Sequence, residues 1–139
     1  MTTERDTRFE AKTPDYDALA TWLEDRYDDD LRWVADFHTP SYKYDVRYIR
    51  DDLKTELSTR QLDIIIHRTM GLFDRAYVEE VYTHLGDACA LVLQHEKATA
   101  VHVYLSDTDG FVVKLRAGIP VTIPDDVDAW LDVLYGGGE

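Results

Sequence analysis

Apolar residues recur along this chain in two rhythms, and the places where one rhythm replaces the other divide it into elements. Thr13 followed by Pro14 offers a helix start, with Thr as the cap and Pro at the first helical position. Leu19, Trp22, Leu23 and Tyr27 then follow the three-and-four spacing of a single helical face, which predicts a helix from Pro14 to about Tyr27. From Leu31 the spacing becomes two. Leu31, Trp33, Ala35 and Phe37 alternate with Arg32, Val34, Asp36 and His38, and after Thr39-Pro40-Ser41 a second alternation groups Tyr42, Tyr44, Val46 and Tyr48. This predicts a β-hairpin whose first strand turns Leu31, Trp33, Ala35 and Phe37 inward and whose second strand carries Lys43, Asp45 and Arg47 on a wet face.

The helical rhythm returns at Ser58, which forms a capping box with Gln61. Leu62, Ile65, Ile66, Met70 and Phe73 mark the buried stripe, Gly71 weakens the helix, and Val78, Val81, Tyr82 and Leu85 repeat the stripe up to a C-terminal cap at Gly86. The last third alternates again in three runs, ACALVLQH, ATAVHVYLS and FVVKLRAG, the last two separated by Asp107-Thr108-Asp109-Gly110. Pro124 opens a closing helix with Val127, Trp130, Leu131, Leu134 and Tyr135 on one face. The order α-β-β-α(α)-β-β-β-α predicts an α+β fold: a five-stranded antiparallel sheet with helices packed against one face. A single domain over residues 13–135 accounts for all of these elements, between a polar tail at 1–12 and a glycine-rich end at 136–139.

Composition narrows the setting. The 139 residues include 45% hydrophobic ones, enough for a folded core despite a formal net charge of -13. Asp supplies 20 of the 28 acids and Lys only 5 of the 15 bases. Such a surface repels itself in dilute buffer and is relieved in molar salt, where the screening length falls to about 3 Å. The absence of a basic stripe argues against nucleic acid as a partner. A lone Cys89 excludes an intramolecular disulfide, and no run approaches the ~18 apolar residues of a membrane span. A cytoplasmic protein without membrane contact is the expectation.

Two resemblances accompany this reading. The element order resembles that of roadblock and longin-type profilin-like domains, which implies a dimerising platform or scaffold. The segment from LRWVADF through YDVRYIRDDL to FVVKLRAG is similar to a family of small uncharacterised haloarchaeal proteins, which implies a halophilic source and no particular activity.

Candidate chemistry is sparse. Asp28-Asp29-Asp30 could attract a hard cation, but consecutive side chains diverge, and a solvated turn explains them. Asp107-Thr108-Asp109-Gly110 lacks the later acids of a calcium loop and reads as a hairpin turn in which Gly supplies a positive φ. His38, His67, His84, His95 and His102 form no metal-binding spacing, so no metal or other cofactor is expected. Cys89 could act as a nucleophile with His102 as base, yet its apolar run favours a buried, inert thiol. Walker loops, GxGxxG turns and GxSxG elbows are absent, so no catalytic residue is assigned. Tyr42, Arg47 and Arg50 form a basic-aromatic group suited to a protein partner, although a tyrosine core strand with a salt-bridged outer face explains the same residues more simply. Tyr44, Tyr48, Ile65 and Met70 are candidate walls of a ligand pocket between the sheet and the central helix. The leading expectation is a non-enzymatic regulatory or scaffolding protein that binds another protein or a second copy of itself; the alternative is a small-ligand sensor using that pocket.

Overall fold

The computed structural model describes residues 13–38, 41, 43–70, 79–81 and 83–136. The expected tail at 1–12, Tyr42, Phe73, Val78 and Tyr82 lie outside the described residues, as do the side chains of Ile66 and Met70. Helix α1 (Tyr16–Tyr27) leads through a 3-10 turn (Asp28–Asp30) into strand β1 (Leu31–His38) and its antiparallel neighbour β2 (Lys43–Ile49). Helices α2 (Asp51–Glu56) and α3 (Thr59–Met70) follow, then β3 (Ala90–Gln94), β4 (Ala98–Tyr104), β5 (Asp109–Arg116) and helix α4 (Asp125–Leu134). The five strands form one antiparallel sheet in the order β2-β1-β5-β4-β3, which bears out the α+β class.

Local signals end the elements much as the side chains dictate. Helix α1 starts later than the Thr13-Pro14 reading, because Asp15 is the residue whose carboxylate accepts from the Ala18 N–H, at 3.0 Å. Asp15 also donates its N–H to the Leu134 carbonyl, tying the start of α1 to the end of α4. The Ser58–Gln61 capping box forms in both directions, with Ser58 N–H donating to Gln61 Oε1 and Gln61 N–H to Ser58 Oγ. Gly86 has φ +83, the left-handed conformation that glycine adopts without steric cost.

The sheet is covered on both faces rather than one. One face holds the larger core, where Leu19, Leu23 and Tyr27 of α1 and Val127, Trp130, Leu131 and Leu134 of α4 pack on Val101, Val103, Phe111, Val113 and Leu115. Trp130 meets the Tyr27 ring edge to face at 6.4 Å. The other face gathers Trp33, Ala35, Phe37, Tyr104 and Val112, with Leu62 of α3 packed on them and Leu53 of α2 buried. Central strands β1, β4 and β5 therefore need apolar residues at successive positions, and their near-continuous runs supply them.

Two register shifts redirect side chains that strict alternation would have grouped. In β1, Leu31 pairs with Leu115 and Trp33 with Lys114, so one extra residue, Arg32, is accommodated between them. Leu31 joins the α1/α4 core while Trp33, Ala35 and Phe37 face the other way, correcting the expectation that all four share one side. In the pairing of β1 with β2, Val34 faces Tyr48 and Ala35 faces Val46, leaving Arg47 as the extra residue. Tyr48 consequently packs with the α1/α4 core and Tyr44 with the opposite one.

The β4–β5 connection is closed by side chains. Asp109 Oδ1 lies 2.7 Å from His38 Nδ1, and Asp109 Oδ2 accepts from Thr108 Oγ1 at 2.7 Å. Ser106 Oγ accepts from the N–H groups of Thr108 and Asp109. Burial works to raise the Asp109 carboxyl, but the bonds from Thr108, His38 and Ser106 outweigh it and hold the group below its ordinary range. Gly110 lies in β5 without the positive φ expected of it, and its role is one of space: a Cβ there would run into the Val103 carbonyl and the Phe37 ring. Among the described residues no helix is long and apolar enough to cross a membrane.

Candidate ligand cavity and the arginine face

The sheet face opposite α1 and α4 is not filled along its whole length. Beside the Trp33–Tyr104 cluster, β4 presents Ala98, Ala100 and His102 on one side, and the two alanines leave space where larger side chains would reach α2 and α3. The result is a cavity of about 370 Å³, floored by the sheet and roofed by Leu53, Leu57 and Ile65. Trp33 and Arg32 both line it, because the extra residue in β1 places two consecutive side chains on the same side. Lys114 enters from β5, His95 and Leu93 stand at the β3 end, and Glu56, exposed to solvent, lies at the α2 rim.

The chemistry of this space is that of an apolar box with a cationic floor. Lys114 Nζ lies 4.5 Å from the centroid of the Trp33 ring, within range of a cation–π contact. Burial, with Arg32 adding repulsion, lowers the Lys114 ammonium to a pKa of about 8. His102 is 1% exposed, and burial together with the Lys114 charge pushes its imidazole down to about 4. At neutral pH the cavity therefore holds a charged Lys114 and a neutral His102. Among the described residues no carboxylate forms an ion pair with Lys114. The Trp33 indole N–H donates to Tyr44 OH at 2.9 Å, which fixes the ring that forms the wall, and burial raises the Tyr44 phenol above its ordinary value.

The expected pocket between sheet and central helix thus meets a real cavity, with different walls. Ile65 lines it; Tyr44 stands behind Trp33, and Tyr48 is on the opposite face of the sheet. The Met70 side chain lies outside the described ones. Alternation placed Tyr44 and Tyr48 together, and the extra residue Arg47 separates them. Trp33, Lys114 and Arg32 were the missed residues, while His102, considered as a base for Cys89, lines this cavity instead. A lysine interrupting the apolar run FVVKL is the one sequence signal that pointed toward them.

The arginines proposed for partner binding are occupied by acids of this same chain. Arg47 donates from Nε to Asp36 Oδ1 at 2.6 Å, reaches Asp17 of α1 at 3.2 Å and lies over the Tyr16 ring. Arg50 grips Asp52 through Nε and Nη2, at 2.6 and 2.9 Å, and donates from Nη1 to the Asp29 carbonyl. With Tyr48, they border a wide surface cleft of about 1080 Å³ that also carries Glu24, Asp29, Asp51 and Asp52. Tyr42 lies outside the described residues. The internal bonds give these guanidiniums a structural task, joining the edge strand to α1 and α2.

The other candidates lose their chemistry in place. Cys89 precedes β3 and is exposed, which corrects the expectation of a buried strand residue, and the β3–β4 register sets Leu91, not Cys89, opposite His102. Asp30 pairs with Arg116 Nε at 2.7 Å and the Asp29 carbonyl accepts from Arg50, so the aspartate run serves as a joint between α1 and the sheet. Among the described residues no group of three or more His, Cys, Asp or Glu could hold a metal ion.

Comparison with curated proteins finds no match. Residues 17–135, from α1 to just past the end of α4, match the model of one family, so that the whole sheet, the cavity and both helical layers fall inside it: the chain belongs to the family described as a domain of unknown function, DUF7522.

Proposed function

We propose that this domain is a non-enzymatic, regulatory small-molecule-binding module whose ligand occupies the cavity between the sheet and helices α2 and α3. The carrying observation is a space of about 370 Å³, bounded mainly by apolar side chains and holding a few placed polar groups. Ligand sites commonly span about 300–1,000 Å³ and have that character. The larger cleft at Arg47 and Arg50 supports a ligand less well, since its arginines are already paired and its walls carry both signs of charge. The roof consists of two short helices joined at Leu57 and Ser58, a construction that can report occupancy to a partner by a small movement. We read the acidic surface as an adaptation to a salt-rich cytoplasm, in keeping with the haloarchaeal likeness of its sequence.

The test is a thermal-shift screen in molar KCl with a panel of single-ring and fused-ring fragments, on the natural protein and on Ala100→Leu. Ligands should raise the Tm of the natural protein in proportion to the logarithm of their concentration and leave the filled variant unmoved. Equal shifts in both proteins would place binding elsewhere and overturn the assignment.

A second reading rests on a separate observation. Edge strand β3 carries no charged residue and leaves Val92 41% exposed, while Val81 and Leu85 in the preceding segment are exposed at 61% and 68%. Such an edge suits strand-to-strand pairing with a protein partner or a second copy, in line with the roadblock-like element order. Sedimentation in molar salt, comparing the natural protein with Val92→Lys, tests it: a monomer in both cases would exclude self-association through β3.

A further inference from the structure

The chemical class of the ligand follows from what the cavity lacks. A chain with 28 acids and 15 bases has carboxylates to spare for its cations, and Arg47, Arg50 and Arg116 each hold at least one. Lys114 and Arg32 instead face the cavity side by side, and among the described residues neither forms an ion pair with an acid there. Repulsion between two like charges in a poorly hydrated space opposes folding unless something answers it. The Trp33 face answers it in part, as a cation–π partner 4.5 Å from Lys114 Nζ. Of the remaining lining, Leu53, Leu57, Ile65, Leu93 and the two alanines of β4 are apolar, His95 and His102 are polar, and the carboxylate of Glu56 belongs to an exposed residue at the α2 rim.

We propose, building on the ligand-binding assignment, that the natural occupant is a small organic anion, a flat apolar body of one or two rings bearing a carboxylate, whose charge is met by Lys114 and Arg32. Size supports the flat body, since about 370 Å³ holds roughly a dozen water-sized groups at ~30 Å³ each. Polarity supports the single anionic group, because the apolar roof offers no partner for further charge. Neutral His102 contributes part of the wall, and its low basicity keeps a third cation out of the site.

Calorimetry in molar KCl with 2-naphthoate and the neutral 2-naphthol, on the natural protein and on Lys114→Met and Lys114→Gln, separates the possibilities. The anion should bind the natural protein about tenfold or more tightly than the alcohol, as expected for a charge-assisted contact. In both variants that preference should shrink several-fold, to what Arg32 alone sustains, while 2-naphthol binding persists, with either probe shifting the Trp33 indole N–H resonance. Equal binding of the two probes to the natural protein, or a preference undiminished in both variants, overturns the anion assignment and leaves the cavity assignment standing. Binding of neither probe to a folded natural protein removes both.

Discussion

Lys114 and Trp33 face one another across the β1–β5 pairing, register partners whose side chains also touch, the ammonium 4.5 Å from the indole centroid. The pair exists because β1 accommodates an extra residue just before it: a regular strand would have set Arg32 on the opposite face from Trp33.

The depressed basicity of Lys114 has a definite consequence for stability. Between its folded value of about 8 and its ordinary 10.5, the unfolded chain holds a proton that the folded protein has released, so stability rises with pH across that window. Tyr16 and Tyr44, raised by burial, act in the opposite sense above pH 10.0, which confines the clean interval to the range from 8 up to 10.0. Lys114→Met should flatten the slope there and stabilise the protein at neutral pH by about 1–2 kcal/mol. Urea unfolding at closely spaced pH values measures both effects. The same titration predicts that 2-naphthoate affinity in the natural protein falls as pH rises above about 8, as the free ammonium disappears.

His102 governs the acid limb. Its folded value near 4 lies below its ordinary 6.5, so across that interval the unfolded chain binds the extra proton and stability is lost as pH falls from 6.5 toward 4. The full contribution of one such group is about 3 kcal/mol. His102→Leu should remove that part of the acid sensitivity while leaving the loss below pH 4 in place. Tm measured from pH 4 to 7 in both proteins is the check, and parallel curves would contradict it.

Element type and order were legible because periodicity reports them directly. The α4 face of Val127, Trp130, Leu131 and Leu134 is buried as its spacing implied, and the Ser58–Gln61 box caps a real helix. Side-chain direction in β1 and β2 was not legible, since one extra residue reverses every position beyond it and Arg32 and Arg47 carry no mark of that role. The cavity walls depend on those reversals, which is why Ile65 was identified while Trp33, Arg32 and Lys114 were not. The runs of β4 and β5 read as alternating in the sequence, whereas in the fold they are buried on both faces.

Arg47 and Asp36 form the most protected ion pair at the sheet edge, the carboxylate side chain 12% exposed and the guanidinium 28%. Hydrogen bonding to Asp36 holds the guanidinium above its already high range. Arg47→Met strands the Asp36 charge and should cost about 3 kcal/mol, whereas the double change Arg47→Met with Asp36→Leu should recover most of that loss. Little of the coupling should disappear between 0.5 and 3 M KCl, in contrast to the exposed Lys54–Asp51 pair, whose contribution is small and screened. A double-mutant cycle at two salt concentrations distinguishes these behaviours.

Gly110 supplies the last expectation, because its need for hydrogen at Cα arises from packing and not from backbone conformation. It pairs with Phe37 across the β1–β5 ladder and with Tyr104 across β4–β5, and the Phe37 ring lies over it. Gly110→Ala should destabilise the protein by about 1–3 kcal/mol, as overpacking of a filled core does. The Val103 carbonyl cannot retreat without breaking the ladder, while the Phe37 ring could be shortened. Adding Phe37→Leu to Gly110→Ala should therefore restore only part of the loss. Full restoration in equilibrium unfolding would mean that the ring alone imposes the constraint; none would mean that the carbonyl does.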